Sequence, residues 1–314
     1  MPSCSTELKD VTVKILPPEE GFLGLSGDDV AAAQGKPGVT IVPYGLEASV
    51  SYGGGTAAGP QAMIDASHQV ELFDEELWRE PCRDFQLNTL APFDIPTDIP
   101  AALDQLAGVV GGVLDDGRFP LTFGGEHSIT PGAIRPFVER YPDLCLLQFD
   151  AHADLRDGYE GEHFSHAAAM RRCLDHPGVS IVSVGIRNIS AGEIPFLDAN
   201  RDRIHIYWGK DRRDWDVDRI VSHLAGKTVY ITFDLDGFDS SLMQATGTPE
   251  PGGVFWDDAV RIIRAANQIA GKVVGADINE LAPIEGLHSC NFLAAKLAYK
   301  ILAYRFADGL PKAA

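Results

Sequence analysis

Short apolar runs alternate with stretches of helical periodicity along most of this chain, and the alternation predicts strands and helices in turn. Val39-Thr40-Ile41-Val42 reads as the first strand, stopped at Pro43. Pro60 opens a helix that runs to about Ser67. Phe85-Gln86-Leu87 is a short strand. Leu103, Leu106, Val110, Val113 and Leu114 share one face of a helix over 101–116, and Gly117 suits its C-terminal cap. Phe119 to Phe123 is the next strand. Thr130-Pro131 can start a helix, although Pro136 counts against that start. Leu144 to Phe149 has the length and composition of a buried strand. Further strands follow at Ile181 to Val184, Ile204 to Trp208, Val229 to Phe233 and Val273 to Ile278. Helix faces are marked by Val217, Ile220, Val221 and Leu224, by Ile262, Ile263, Ala266 and Ile269, and by Leu293, Leu297 and Ile301. Roughly eight strands alternating with helices predict an α/β protein, a parallel sheet with helices on both faces. A TIM barrel has the same strand count, and periodicity leaves that topology open. Residues 39–314 read as a single domain, and residues 1–38 as an irregular N-terminal extension, an arm for packing on a neighbour.

The polar positions that matter come where the apolar strands stop. The central strand runs into Asp150-Ala151-His152-Ala153-Asp154. If extended geometry continues, the three polar side chains face one point beyond the strand end. Sites past the carboxyl ends of parallel strands are the usual geometry of open α/β sheets. Two more strand ends carry the same chemistry: His127 after Gly124-Gly125, and Asp234 with Asp236. Four carboxylates and two imidazoles around one pocket are costly without cations. The set is rich in oxygen and has no thiolate, which suits Mn²⁺ better than a closed zinc site. Six ligands suit two ions, and a metal pair roughly 3.5–4 Å apart lowers the pKa of a bridging water. Ser51 to Thr56 is glycine-rich but lacks the spacing of a phosphate loop, and reads as a flexible loop near the site.

Composition changes this picture little. Of 314 residues, 45 are acidic and 26 basic, a net charge of −19. That balance disfavours non-specific binding to nucleic acid or to an anionic membrane. Five cysteines, an odd number with no C-x-x-C spacing, point to a reducing, cytoplasmic compartment, and Cys145 in its apolar run reads as a buried thiol. The N-terminus shows no signal-peptide pattern, and no apolar stretch is long enough to span a bilayer.

Four separated stretches closely resemble the ureohydrolases, the arginase and agmatinase family. They are Gly124-Gly125-Glu126-His127-Ser128, Asp150-Ala151-His152-Ala153-Asp154, Thr232 to Asp239 and Thr246 to Gly253. The resemblance covers the chain from about Val39 to its last helix. It implies a three-layer α/β/α arginase-like fold with an eight-stranded parallel sheet, two Mn²⁺ per subunit, and hydrolysis of a guanidinium group to urea and an amine. By motif, His127, Asp150, Asp154 and Asp234 would hold one ion, and Asp150, His152, Asp234 and Asp236 the other. Attack would come from metal-bridging hydroxide, and Asp154 would relay a proton toward the leaving amine. His166 matches the family's proton-shuttle histidine, with His163 as a nearby rival. Glu280 matches the glutamate that grips the guanidinium, a planar cation suited to a bidentate carboxylate. The family also implies a homo-oligomer, a trimer or hexamer, in a single catalytic domain.

Two departures stand out. Glu126 occupies a position where many relatives carry Asp, outside the ligand set. Ser240 stands where relatives usually have Pro, which predicts a looser turn. Thr248-Pro249-Glu250-Pro251 is more similar to agmatinases than to arginases, so agmatine, cleaved to urea and putrescine, is the expected substrate. Asn188 and Ser190 stand where arginases use aspartates to hold an α-amino acid. Arg156, two residues past Asp154, offers a grip for the carboxylate of a guanidino acid such as guanidinobutyrate or guanidinopropionate. A non-catalytic metal-binding relative is the reading from another class, although every ligand position is filled.

Overall fold

The computed structural model describes residues 5–8 and 11–307. Two short strands, β1 (Ser5–Leu8) and β2 (Val11–Lys14), form an antiparallel ribbon. The others are β3 (Gly38–Tyr44), β4 (Gln86–Thr89), β5 (Phe119–Gly124), β6 (Leu144–Phe149), β7 (Ser180–Ile186), β8 (Ile204–Trp208), β9 (Thr228–Asp234) and β10 (Lys272–Asn279). They make one sheet in the order β4-β3-β5-β10-β9-β6-β7-β8. Every neighbouring pair is parallel. The sheet is open, with β4 and β8 at its edges, so the barrel alternative falls away.

Helices cover both faces, which is why the strands read as continuous apolar runs rather than alternating ones. In chain order they are α1 (Gly27–Ala32), α2 (Gly59–Ser67), α3 (Ile99–Asp115), α4 (Thr130–Arg140), α5 (Ala169–Cys173), α6 (Ile194–Ala199), α7 (Val217–Ser222), α8 (Trp256–Ile269) and α9 (His288–Phe306). Along β6, Cys145, Leu147 and Phe149 face the layer of α2, α7, α8 and α9. Leu144 and Leu146 face the layer of α3, α4, α5 and α6. The cysteines at 82, 145, 173 and 290 are buried free thiols. No helix among the described residues is long and apolar enough to cross a membrane.

The helix over 101–116 is α3. Asp98 caps its start by accepting from Ala101 N at 3.0 Å, and Gly117 ends it at φ +70°. Leu103 and Leu106 are fully buried beneath it, each contributing about 1.5–3 kcal/mol relative to exposure.

Three local readings are corrected. Pro43 does not stop the first strand. Leu90 N donates to Ile41 O at 3.0 Å, so Ile41 faces β4, and Pro43, two residues on, turns the same way. The β3–β4 ladder has ended by then at Ile41 and Thr89, so the missing donor costs nothing. Helix α4 likewise runs through Pro136. It packs so closely on α3 that a Cβ on Gly132 would lie 2.8 Å from Leu103 O, and this packing outweighs the lost turn bond. Residues 13–38 are not an irregular arm. Phe22, Leu23 and Leu25 are buried in the core, Phe22 packs edge-on against Phe123, and its N donates to Thr89 Oγ1 at 2.9 Å.

The chain leaves β5 through α4 and returns as β6, three places away across β10 and β9. A crevice opens at the carboxyl ends of these four central strands, where the winding direction changes.

Candidate metal centre and its cavity

The turn after β5 sets the first ligand. Gly125 N donates to Tyr44 O at 2.9 Å, and a Cβ on Gly125 would lie 2.0 Å from Leu46 O. Only glycine lets the chain pass there and present His127. The imidazole is buried, with Nε2 2.8 Å from Thr232 Oγ1. Its Nδ1 makes no hydrogen bond. Yet Asp150 Oδ2 and Asp154 Oδ2 lie 3.1 Å from it and Asp234 Oδ2 lies 3.3 Å away. A buried nitrogen lone pair with three carboxylate oxygens around it is a cation's donor set. A cation at Nδ1 leaves the Nε2 proton to donate to Thr232.

The second group forms one residue spacing further along. His152 Nδ1 lies 3.0 Å from Asp236 Oδ2 and 3.7 Å from Asp150 Oδ1. His127, Asp150 and Asp234 thus gather at one point, and Asp150, His152 and Asp236 at another, with Asp150 common to both. Asp150 is held by Gln148 Nε2 at 2.8 Å and by His152 N at 2.6 Å. Asp234 accepts from Asp236 N at 2.9 Å, and Asp236 from Ala151 N at 3.0 Å. Asp154 adopts φ +53°, a left-handed conformation that Asp tolerates better than most residues.

Protein groups alone leave the cluster electrostatically unbalanced. Burial raises the carboxyls of Asp150 and Asp234 and pushes that of Asp154 up to about 6, each helped by neighbouring aspartates. Burial works against a charge on His152, but Asp236 and Asp150 outweigh it and hold it up at about 11. Burial also raises Glu280, to about 8, with Glu126 and Asp236 adding repulsion. Divalent cations would remove this imbalance, so the residues present fit a dinuclear site.

A cavity of about 320 Å³ opens onto these ligands. His166, Glu280, Arg156 and Asn188 all line it. Glu280 sits at φ +67°, and its Oε1 accepts from His127 N at 2.6 Å. The Arg156 guanidinium lies over the Tyr159 ring, 5.0 Å from its centre. The Asn188 Nδ2 has no hydrogen-bond partner. His163 is elsewhere: exposed, with its Nδ1 3.2 Å from Asp157 O and its ring beside Arg172. Of the two rival histidines, His166 is the one at the cavity. Val50 to Gly53 close one side, so the first part of the glycine-rich loop over Ser51 to Thr56 lies at the site as expected.

Several residues here were given no role from the sequence. Gln148 and Thr232 are fully buried polar groups inside apolar strands, and that interruption was their signal. Glu193 and Glu250 line the cavity. Arg187 left no such signal. Its guanidinium donates to the carbonyls of Gly185, Asp236, Gly237, Phe238 and Glu250 at 2.7 to 3.3 Å, tying the Asp236 turn to the end of β7. Arg187→Met strands those carbonyls and is expected to cost about 3 kcal/mol, with weaker metal binding. Urea unfolding and metal titration measure both, and an unchanged midpoint would refute it. The looser turn expected at Ser240 is also corrected. Ser240 N donates to Glu250 O at 3.2 Å, a bond proline cannot make.

A model of the arginase family matches residues 37–303. The chain belongs to the arginase family. It is 35% identical over 275 residues to the N(1)-aminopropylagmatine ureohydrolase of Synechocystis sp., covering 85% of this chain and 88% of that protein. It is 32% identical over 247 residues to an agmatinase of Bacillus subtilis, 77% of this chain and 83% of that one. The crystal structure of the agmatine ureohydrolase of Thermoplasma volcanium aligns with a TM-score of 0.78 at 30% identity, covering 90% of this chain and 95% of that chain. Family membership makes this chain an agmatinase-like ureohydrolase, a hydrolase of guanidino compounds with an α/β arginase-like fold.

Proposed function

We propose that this chain hydrolyses agmatine to urea and putrescine, with two Mn²⁺ held by His127, Asp150, His152, Asp154, Asp234 and Asp236. The observation that carries the substrate reading is the pair of carboxylates, Glu280 and Glu250, at one cavity. Agmatine is cationic at both ends. Glu280 receives the guanidinium beside the metal ligands. Among the described residues no hydrogen bond holds the Glu250 carboxylate, which leaves it for the distal ammonium. When bound, the ions supply Lewis-acid charge and lower the pKa of a water at the site. The Asp154 carboxylate takes a proton from the attacking water and passes it to the departing amine. His166 carries a separate proton, the one the next water gives up as the site resets, to solvent at the cavity wall.

Two substrate variants have their own support. A longer agmatine carrying an extra aminopropyl group is the named substrate of the Synechocystis relative, and Glu193 adds a third acidic group to the cavity. Arg156 with the unpaired Asn188 Nδ2 instead offers two donors to a carboxylate, favouring guanidinobutyrate or guanidinopropionate. Urea release by the Mn²⁺-loaded protein, measured in parallel on agmatine, aminopropylagmatine, arginine and the two guanidino acids, decides among them. A strong preference for agmatine is the expected result. A preference for a guanidino acid would move the distal contact to Arg156. Metal binding without urea from any of them would overturn the proposal.

A further inference from the structure

Glu126 precedes the first metal ligand and belongs to neither ligand group, yet it is completely buried. Its carboxylate accepts four hydrogen bonds. Ala48 N and Ser49 N donate to Oε2 at 3.0 and 2.7 Å. The hydroxyls of Ser49 and Ser128 donate to Oε1 at 2.9 and 2.6 Å. The Ser49 hydroxyl in turn touches the cavity histidine: His166 N donates to its oxygen at 3.0 Å, and His166 Nδ1 lies 3.1 Å from it.

A serine hydroxyl has one proton and two lone pairs. Here the proton has two possible destinations, the Glu126 carboxylate or His166 Nδ1. A hydrogen bond to a carboxylate is roughly twice as strong as one between neutral groups, so the proton goes to Glu126. The Ser49 oxygen then has only lone pairs to offer, one to His166 N and one to the ring. Nδ1 must therefore carry a hydrogen, and Nε2 is left as the basic nitrogen of the neutral ring. Tyr159 packs edge-on against the same ring, its centre 6.1 Å away, which limits rotation.

We infer that Ser49, oriented by the buried Glu126 carboxylate, is a positioning residue for His166: it accepts the Nδ1 hydrogen and so fixes Nε2 as the nitrogen that takes up and releases protons at the cavity. The inference rests on the proposed role of His166 as the proton carrier. It also assigns a purpose to Glu126, whose side chain ties the loop at 48–49 to the strand end that bears His127.

The proton step is a simple exchange. Nε2 accepts a proton from the reaction side and releases it to solvent, while Nδ1 keeps its hydrogen on Ser49 throughout. Removing the hydroxyl takes away the acceptor of the Nδ1 hydrogen, so the ring no longer presents Nε2 alone to the cavity. Asp154, Glu280 and Arg156 line the same cavity and are left in place by the substitution.

The test compares His166→Ala, Ser49→Ala and Ser49→Thr as Mn²⁺-loaded enzymes, with manganese content, kcat and KM measured for each. His166→Ala is expected to lose about 100-fold in kcat. Ser49→Ala is expected to lose about 10-fold in kcat with KM and manganese nearly unchanged. Ser49→Thr, which keeps the hydroxyl, restores kcat. Wild-type kcat in Ser49→Ala, alongside an impaired His166→Ala, would overturn the inference and leave the proposed function standing. A loss in Ser49→Ala that carries KM or manganese content with it, or a threonine variant that behaves like alanine, would assign Ser49 a structural role and also overturn it. Full activity in His166→Ala would instead remove the role of His166 on which the inference rests.

Discussion

Asp150→Asn is expected to abolish both metal loading and turnover while leaving the fold intact. Asp150 is fully buried and common to both ligand groups, with Oδ2 3.1 Å from His127 Nδ1 and Oδ1 3.7 Å from His152 Nδ1. Asparagine keeps the shape but removes the charge and one lone-pair oxygen, so neither cation keeps its shared ligand. The expected fall in kcat is at least about 10³-fold, roughly 4 kcal/mol in barrier height. Stability should respond in the opposite sense in the absence of metal. Burial and neighbouring aspartates already disfavour the charge on Asp150, so the metal-free variant should melt no lower than the metal-free parent. The parent should gain about 2.7 kcal/mol per bound ion when Mn²⁺ exceeds its Kd a hundredfold, and the variant should gain almost nothing. Manganese content, melting with and without Mn²⁺, and urea release report all three effects. A variant that still bound two ions and turned over would show that these residues do not form the centre.

Glu280→Gln should separate substrate capture from metal binding. Glu280 lies outside both ligand groups but lines the same cavity. Its Oε1 accepts from His127 N at 2.6 Å, and a glutamine carbonyl can keep that bond. What is lost is the negative charge facing the guanidinium and one of two parallel charge-assisted hydrogen bonds. At about 1.5–3 kcal/mol for each such bond, kcat/KM should fall about 10²–10³-fold with metal content unchanged. Atomic absorption and steady-state kinetics on agmatine make the comparison. Normal kcat/KM in this variant would move guanidinium recognition elsewhere in the cavity, with Glu193 and Glu250 next in line.

The ligand-bearing strand ends were legible because the signal is local. An apolar run that stops at alternating acidic and imidazole side chains reads the same way from a few residues as from the whole molecule. The boundaries of β8 and the extent of α3 follow from the same short-range periodicity. Pro43 and Pro136 misled because their local cost is real, while its compensation lies in neighbours distant in sequence: the early end of β4 and the close approach of α3. Local sequence could not separate His163 from His166 for a similar reason, and only the resemblance favoured His166. Three residues apart on one loop, they differ only in what the rest of the chain places beside them, Arg172 and Asp157 for one and Ser49 for the other.

By itself the sequence determined the alternation of strands and helices, burial on both sheet faces, and an oxygen-rich donor set suited to divalent cations. Each follows from side-chain chemistry or from a period of two or 3.6 residues. Only the tertiary structure decided that the sheet is open, that β10 and β9 lie between β5 and β6, and that three strand ends therefore share one crevice. It alone brought Arg187 to five carbonyls and Glu126 to Ser49, contacts spanning up to 77 residues. Such pairings have no period. They arise when the layers pack and each buried polar group must find a partner, a condition that no short window of sequence contains.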